Sequence, residues 1–512
     1  MERIEAPTKP RFASPAVRAL AESVPEIDHY ELDGIPLFHL PGAGATILTL
    51  SFAVGSAHEP VPRRGMTHLA EHLLLTSIDR ALDHSNGVTE PFRVTFTTRG
   101  SPSEASRFLR DVCESVASPR IVRMHEEANV LRSEANLRSP VMPPQFRLYW
   151  LRTGYQGLGT THLPEFFLHT LDEQVLRDWI GQHMVAGNAA IWIAGPLPDD
   201  LYVALEPGPP TPLPAYEEIP GFETPAVLGD GIEGVGASFV VERSAAIQMA
   251  LRTLEQHLRK ALRVDRGLGY IVATDYKKVS ANRALASVFA SCLPDSAPDV
   301  QRAVLEAIDD LAARGPTEDE IADQYESTVR DLTDPMANPT RLDHWVQDVL
   351  MGIEPTPAAT LLDQLWRLQP DEVAAAFRKA RDSMLLVLPP ASARPQRAWK
   401  PYPEPSAGGM GKGQTFEPST KPKGRGLFRR EIPPSLFVGN EGMAVDVGPG
   451  VRYVAIRWDE AVAIVRDLDG RIILSRDGNS FGVRPEDWRD GKHAVTLVDR
   501  WAPRPVVIPD AR

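Results

Sequence analysis

The sequence predicts an α+β protein in which two consecutive α/β units are followed by a small, mostly β C-terminal domain. Two observations favour the paired units: apolar strands alternate with amphipathic helices along both halves, and a proline-rich stretch separates the halves. A third observation indicates the β domain, because short apolar runs separated by Asp-Gly turns dominate the end of the chain.

The boundaries follow from changes in composition along the chain. We predict an N-terminal extension (1–27), a first unit (28–205), a linker (206–221), a second unit (222–390), a Pro/Gly-rich linker (391–434) and a β domain (435–512). The second linker contains a glycine-rich stretch, 406–413. It does not fit a phosphate-binding loop, because Ser406 and Gly413 replace the first glycine and the final Ser/Thr of that motif.

Periodicity predicts the main elements in chain order. In the first unit these are strands 45–54, 92–98 and 189–195 and helices 64–77, 102–117, 123–138 and 171–180. In the second unit they are a helix of about 246–263, a strand from Tyr270, a helix opened by a Thr317/Glu320 capping box, and a last strand, 384–388. In the β domain, strands are predicted at 453–458, 461–466, 471–475 and 494–498.

The most informative motif is H-x-x-E-H, formed by His68, Glu71 and His72. On a helix, His72 lies one turn plus about 40° from His68, so both imidazoles can reach one metal ion. Glu71 lies beside them, where its carboxylate can hold a water molecule. The motif therefore points to a metallopeptidase that needs a third ligand.

The candidate for that ligand lies in a helix-compatible stretch that carries Glu127 and Glu134. A spacing of seven residues is nearly two helical turns, so both carboxylates share one face. Glu134 can complete a His-His-Glu set with an open fourth position, and Glu127 can orient a metal-binding histidine. His84 and His125 are alternative ligands, although a lone histidine is more often a surface residue.

With these residues the chain resembles the insulinase/pitrilysin family of zinc peptidases, in which H-x-x-E-H is followed by paired glutamates at this separation. Residues 52–60 resemble the strand and turn that precede the family's metal-binding helix. Residues 86–89 and 92–96 resemble the strand that lines its substrate groove. The resemblance implies two tandem insulinase-type half-domains, with zinc held by His68, His72 and Glu134.

A second element, Arg263 to Tyr270, is similar to the family's R-x-x-x-G-L-x-Y pattern. The resemblance implies that Arg263 and Tyr270 face the metal from the partner half-domain and bind the peptide carbonyl. A cation and a phenol can stabilise the oxyanion that develops when water attacks an amide. The second unit would then keep the fold while the metal chemistry stays in the first.

Composition predicts a soluble, cytoplasmic chain of 512 residues, of which 43% are hydrophobic and 24% charged. No apolar run reaches the roughly 20 residues of a membrane span, and the N-terminus lacks the pattern of a signal peptide. Two cysteines give no disulfide framework. A net charge of −13 argues against general nucleic-acid binding.

The sequence thus predicts a zinc-dependent metalloendopeptidase that cleaves peptides or unstructured segments, with Glu71 as general acid/base. The resemblance implies a chamber closed by two chains, either a homodimer or a heterodimer with a related subunit. Two alternatives stay open: a non-catalytic scaffold of the same fold, which the short spacing from His72 to Glu134 favours, and a dedicated precursor-peptide processor. His-His-carboxylate sites also accept manganese or cobalt.

Two features have no assigned chemistry. The C-terminal domain resembles a pleckstrin-homology-like module without a terminal helix, and we expect it to serve in packing or partner binding. Tyr149, Trp150 and Tyr155 either frame a peptide groove or pack in the core.

Overall fold

The computed structural model describes residues 14–78, 84–137, 143–230, 232–389, 399–403, 410–419, 435–446, 454–503 and 507–508. Most of the predicted linker 391–434 lies outside these residues, as do residues 1–13 of the predicted N-terminal extension. Within the described part the fold is α+β. No described helix combines the length and the hydropathy that a bilayer span requires.

The first half forms one six-stranded sheet with helices around it. Its elements are α1 (Pro15–Glu22), β1 (Asp28–Leu32), β2 (Ile35–Leu40), β3 (Thr46–Phe52), α2 (Met66–Thr76), β4 (Ser85–Thr89), β5 (Val94–Gly100), α3 (Pro102–Ala117), α4 (Met124–Leu137), α5 (Pro144–Thr153), α6 (Phe167–Thr170), α7 (Glu173–His183) and β6 (Ala189–Ala194). The strand order is β1-β2-β6-β3-β5-β4, and β2 pairs with β6 in parallel while the other neighbours are antiparallel. The predicted elements of this half lie within a few residues of these bounds.

Strand β6 shows why the centre of this sheet reads as a continuous apolar run. Alternate side chains point to opposite faces of a strand. Ile191 and Ile193 belong to the core under α2 and α3, whereas Trp192 packs on the opposite face with Leu342 and Val346 of the second half. Both faces of the sheet are therefore covered, which removes the polar alternation of a half-exposed strand.

The second half repeats this plan. Its elements are β7 (Ala226–Gly229), β8 (Gly234–Glu242), α8 (Ala245–Leu258), a π-helical segment (Arg259–Val264), β9 (Val272–Lys278), β10 (Arg283–Ser291), α9 (Ala297–Arg314), α10 (Glu318–Thr333), α11 (Asn338–Leu350), α12 (Ala358–Arg367), α13 (Pro370–Asp382), β11 (Leu385–Leu388) and β12 (Lys400–Pro401). The strand order is β12-β7-β11-β8-β10-β9. The predicted capping box of α10 is confirmed: Thr317 Oγ1 accepts from the Glu320 backbone N–H, and Glu320 Oε2 accepts from that of Thr317.

The two halves are joined because each covers the other's sheet with a helix. Helix α11 of the second half packs on β6 and β2 of the first, and helix α5 of the first half packs on β8 and β10 of the second. Arg152, on α5, is fully buried, and its guanidinium donates to the hydroxyl and the carbonyl of Ser238. On the other side, Arg93 donates to Asp343 at 2.6 Å. The halves form a single packed body through these contacts.

The predicted N-terminal extension and first linker both contribute to this body. Helix α1 lies within the extension, and its Val17 and Ala21 pack against the core of the second half. The linker 206–221 has no helix or strand, and its Ile219 is buried.

The described part of the C-terminal domain consists of two four-stranded sheets and a helix. Its elements are β13 (Gly413–Phe416), β14 (Ser435–Gly439), β15 (Gly442–Asp446), β16 (Val454–Arg457), β17 (Ala461–Asp467), β18 (Gly470–Ser475), β19 (Ser480–Val483), α14 (Gly491–Trp501) and β20 (Val507–Ile508). The first sheet has the order β13-β14-β15-β16 and the second β19-β18-β17-β20, in which β20 is parallel to β17.

The strand predicted at 494–498 is wrong, because these residues lie in α14. Ala494, Val495, Leu497 and Val498 are all buried, and their spacing fits one face of a helix that covers the core of the domain. Short apolar runs fit a strand and a buried helical segment equally well. The terminal helix that the sequence reading did not find is thus present, and the resemblance to a pleckstrin-homology-like module stays a prediction.

Candidate metal centre

Helix α2 carries the H-x-x-E-H motif, and a buried ion pair fixes where it begins. Glu59 Oε2 accepts from the Arg64 guanidinium at 2.8 Å and from the Gly65 backbone N–H at 2.9 Å. Glu59 Oε1 accepts from the Thr67 backbone N–H at 2.6 Å. Glu59 therefore caps the helix from a distance in sequence and places its negative charge at the positive end of the helix dipole.

The structure brings together the three predicted metal ligands. Nε2 of His68 lies 4.0 Å from Glu134 Oε2, and Nε2 of His72 lies 3.8 Å from Glu134 Oε1. One ligand atom from each of the three residues lies within 4.8 Å of the other two. Both histidines project from α2 and Glu134 from α4, as the helical spacings predict.

The other nitrogen of each imidazole contacts a buried glutamate. Nδ1 of His72 lies 3.4 Å from Glu127 Oε2, and Glu127 lies about two turns before Glu134 on the same face of α4. Nδ1 of His68 lies 2.9 Å from Glu165 Oε1. A carboxylate on Nδ1 fixes the tautomer that leaves Nε2 as a metal ligand and makes that nitrogen more basic.

Sequence reasoning missed Glu165. It lies 97 residues from His68, and no periodic pattern relates the two positions. One local feature is related to the position of Glu165. Gly65, just before α2, has a left-handed φ of +95°. A Cβ added there would lie 2.5 Å from Glu165 Cβ, so this glycine permits the close approach of the Glu165 side chain.

Glu71 is buried beside the two histidines and is held by edge strand β4. Thr89 Oγ1 donates to Glu71 Oε2 at 2.9 Å. A Cβ added to Gly87 would lie 2.3 Å from Glu71 Oε1, so β4 needs a glycine at this point. Burial raises the pKa of the Glu71 carboxyl, while the charges of His68 and His72 oppose that rise. A general acid/base works best when its pKa is close to the operating pH, so a rise is the useful direction for a carboxyl that must accept and return a proton.

The donor set fits a divalent cation. Ligands of a tetrahedral zinc ion with bonds of about 2.0–2.1 Å lie about 3.3 Å apart, so the observed 3.8–4.0 Å separations need only small side-chain movements. The Glu134 side chain is 44% exposed, which leaves one side of the cluster accessible. His84 and His125, the alternative ligands, are exposed and do not belong to this cluster of described residues.

Arg263 and Tyr270 lie together on the second half. The Arg263 guanidinium carbon is 5.4 Å from the centre of the Tyr270 ring, and Tyr270 is 79% exposed. Arg263 lies near the end of the π-helical segment, and Tyr270 precedes edge strand β9. The two side chains therefore contact each other, and the tyrosine ring is accessible to a ligand.

Tyr149, Trp150 and Tyr155 occupy packed positions. Tyr149 and Tyr155 are buried, and Trp150 packs partly buried between two apolar clusters. This arrangement favours the core-packing interpretation over a peptide groove.

Comparisons with known proteins show what this chain is similar to. Residues 228–326 match the model of a family described as "Peptidase M16 inactive domain". The comparison with curated protein sequences gives no match.

Solved structures give matches over most of the chain. A protease from Helicobacter pylori is 15% identical with a TM-score of 0.57, over 72% of this chain and 100% of that one. A chain of complex III2 from Candida albicans is 12% identical with a TM-score of 0.53, over 70% and 94%. Pitrilysin is 14% identical with a TM-score of 0.53, over 71% of this chain and 45% of that one. At these identities the likeness is one of fold.

Proposed function

We propose that this chain is a zinc-dependent endopeptidase of the M16 (insulinase/pitrilysin) type that cleaves peptides or unstructured segments; the match of residues 228–326 to an M16 family model supports that family assignment. The convergence of His68, His72 and Glu134, with Glu71 buried beside them, supports this proposal most strongly. A domain that served only for assembly has no physical need for that set of side chains.

The residues of the candidate site would have different roles in peptide hydrolysis. His68, His72 and Glu134 would hold the ion, which when bound supplies Lewis acidity toward water and the substrate carbonyl. Glu71 would accept a proton from the attacking water and return it to the amine as the C–N bond breaks. Thr89 holds Glu71 in place, and Glu127 and Glu165 orient the two imidazoles.

Arg263 and Tyr270 would stabilise the carbonyl oxygen of a substrate held by a second chain. Tyr270 lies two residues before β9 begins, and it is 79% exposed. This exposure supports a chamber in which two chains, identical or related, complete each other's sites.

Peptide cleavage tests the proposal directly. The purified chain is incubated with a mixture of unstructured peptides, with and without a zinc chelator, and the products are read by mass spectrometry. Chelator-sensitive cleavage by the wild type, and none by Glu71→Gln, is expected. Metal bound without cleavage of any peptide would restrict the function to one precursor or a missing partner.

Mixing two inactive chains tests the shared chamber. Glu71→Gln lacks the general base, and Tyr270→Phe lacks a carbonyl donor, but a hybrid dimer has one site with both groups intact. Equimolar mixing of homodimers should restore roughly a quarter of the wild-type rate, since half of the dimers are hybrids with one working site. No gain on mixing, together with a purely monomeric wild type, would contradict the two-chain arrangement.

A non-catalytic subunit of a larger assembly is the second candidate function. Two observations favour it: the matching family model describes an inactive domain, and one similar solved chain belongs to complex III2. Measurement of bound metal separates the two functions. A chain that takes up no zinc from a micromolar solution would support the scaffold.

A further inference from the structure

One segment contacts both the metal centre and the C-terminal domain. We call residues 154–167, from Gly154 to Phe167, the bridging segment. It leaves α5, makes a short 3₁₀ turn at Gly157–Thr160 and ends where α6 begins. It links α2, which carries two of the three candidate ligands, to a domain that carries none of them.

On one side, the bridging segment fixes the first turn of α2. Arg64 donates from Nε to the Thr160 carbonyl at 3.0 Å and from a terminal nitrogen to the Thr161 carbonyl at 2.9 Å. The Phe167 backbone N–H donates to the Arg64 carbonyl at 2.9 Å. Glu165, between these points, contacts Nδ1 of His68 at 2.9 Å. The orientation of His68 thus depends on where the bridging segment lies.

On the other side, the bridging segment docks on the β17–β18 hairpin. An apolar cluster joins its residues to the hairpin; the members are Val61, Tyr155, Leu163, Phe166, Ala463, Val465 and Leu474. The Tyr155 backbone N–H donates to the Arg476 carbonyl at 3.0 Å. Gly154 approaches so closely that an added Cβ would lie 2.1 Å from that same carbonyl oxygen.

The hairpin is built to be covered on both faces. Ile464 pairs across the strands with Ile473, and both lie in the core of the C-terminal domain. Ala463 pairs with Leu474, and this pair faces the bridging segment. Alternate residues of a strand face opposite ways. The wholly apolar run from Ala461 to Val465 therefore indicates that both faces of β17 are buried.

We propose that the C-terminal domain braces the metal centre, because it holds the bridging segment in the position from which Glu165 orients His68. Glu165 is then a positioning residue that acts through the imidazole, and the hairpin acts through Glu165. The inference rests on the proposed metal site and extends it to a domain far from H-x-x-E-H in sequence. Loss of a carboxylate that orients a histidine ligand typically weakens metal affinity 10–100-fold.

Two substitutions in the same hairpin separate docking from general effects of charge. Leu474→Asp places a carboxylate in the docked apolar cluster, whereas Leu468→Asp places one at the hairpin turn, where Leu468 is 62% exposed. Zinc affinity of each full-length variant is measured by competition with a chromophoric chelator. Leu474→Asp should bind zinc at least about tenfold more weakly, and Leu468→Asp within about twofold of the wild type. If Leu474→Asp does not fold, Leu474→Ala is used with the same criterion.

A double-mutant cycle identifies the route of the effect. Glu165→Ala should weaken zinc affinity, and Leu474→Asp should add little to it, because both changes remove one interaction with His68. The visible spectrum of the cobalt-substituted protein reports the geometry of the ligands in the same variants. Fully additive effects, or an unchanged zinc affinity in a Leu474 variant whose hairpin amides exchange faster with deuterium, would overturn the brace. A wild-type chain that binds no metal would instead overturn the proposed function itself.

Discussion

In the first half the strand order places α2 beside edge strand β4, and in the second half it places α8 beside edge strand β9. Both helices carry a glutamate that accepts from a threonine of the neighbouring edge strand: Glu71 from Thr89 at 2.9 Å, and Glu255 from Thr274 at 2.6 Å. The residues three before and one after Glu71 are His68 and His72. Those around Glu255 are Arg252 and Gln256.

This difference separates what the fold needs from what metal chemistry needs. The threonine–glutamate contact occurs in both halves, so it serves to join a helix to an edge strand. Among the described residues, a convergent set of metal-ligating side chains occurs in the first half and has no counterpart in the second. The two histidines together with Glu127 and Glu134 of α4, and not Glu71 alone, distinguish the half that carries the candidate metal centre.

The largest expected effect comes from the same substitution in each half. Glu71→Gln should lower kcat about 10³-fold with metal affinity retained, because general acid/base catalysis contributes about 10²–10⁴-fold. Glu255→Gln should leave kcat within about twofold, since the positions equivalent to His68 and His72 hold Arg252 and Gln256 in the second half. Steady-state rates on a peptide found by mass spectrometry check both. Equal losses would show that the second half takes part in the chemistry.

The next largest loss of kcat is expected from a substitution that moves the Glu71 carboxylate but leaves Glu71 itself unchanged. A methyl group at Gly87 would overlap the Glu71 carboxylate, so Gly87→Ala should move that group and lower kcat roughly 10²-fold. Gly181→Ala is the matched control, because an added Cβ meets nothing within 4 Å there. Zinc affinity should stay unchanged in both variants. A Gly87→Ala enzyme with the wild-type kcat would mean that the position of Glu71 is not limiting.

A smaller effect is expected at the glutamate that orients His72. Glu127→Gln should weaken zinc binding 10–100-fold, because the amide cannot support His72 Nδ1 as a carboxylate does. Glu126→Gln, at an exposed neighbouring position of α4, should leave the affinity unchanged. Chelator competition measures both values. An effect of equal size at Glu126 would indicate a general loss of negative charge and not orientation.

The smallest effect should be the same in both halves. Ser101 caps α3 and Thr317 caps α10, each with a reciprocal glutamate three residues on. Loss of either cap, Ser101→Ala or Thr317→Ala, should lower the free energy of unfolding by about 1 kcal/mol with kcat unchanged. Urea unfolding beside rate measurements tests this. A change in kcat from Thr317→Ala would link the second half to the metal centre.

Local patterns predicted much of the fold and part of the site. The apolar runs of β3 and β6, the spacing within α2 and the seven-residue separation of Glu127 and Glu134 are all local, and the structure places these residues as those spacings require. The contacts of Glu59 and Glu165 are different. Glu59 caps a helix that begins seven residues later, and Glu165 reaches His68 only through tertiary folding. Neither contact leaves a periodic signal in the sequence.

The error at α14 has a related cause. Five residues, Ala494 to Val498, are too few to distinguish a strand from a buried helical face when neighbouring elements are unknown. Only the packing of α14 across the open side of the sheets decides the matter.

The exchange of α5 and α11 between the halves also sets an order of events during biosynthesis. The outer face of the first sheet is covered by α11, which ends at Leu350. When residues 1–221 have emerged from the ribosome, the first sheet can form while one of its apolar faces is still uncovered, a surface prone to aggregation. At about 5–20 residues per second, the remaining 129 residues up to Leu350 take on the order of ten seconds or more to translate. During that interval we expect the nascent first half to be bound by a chaperone.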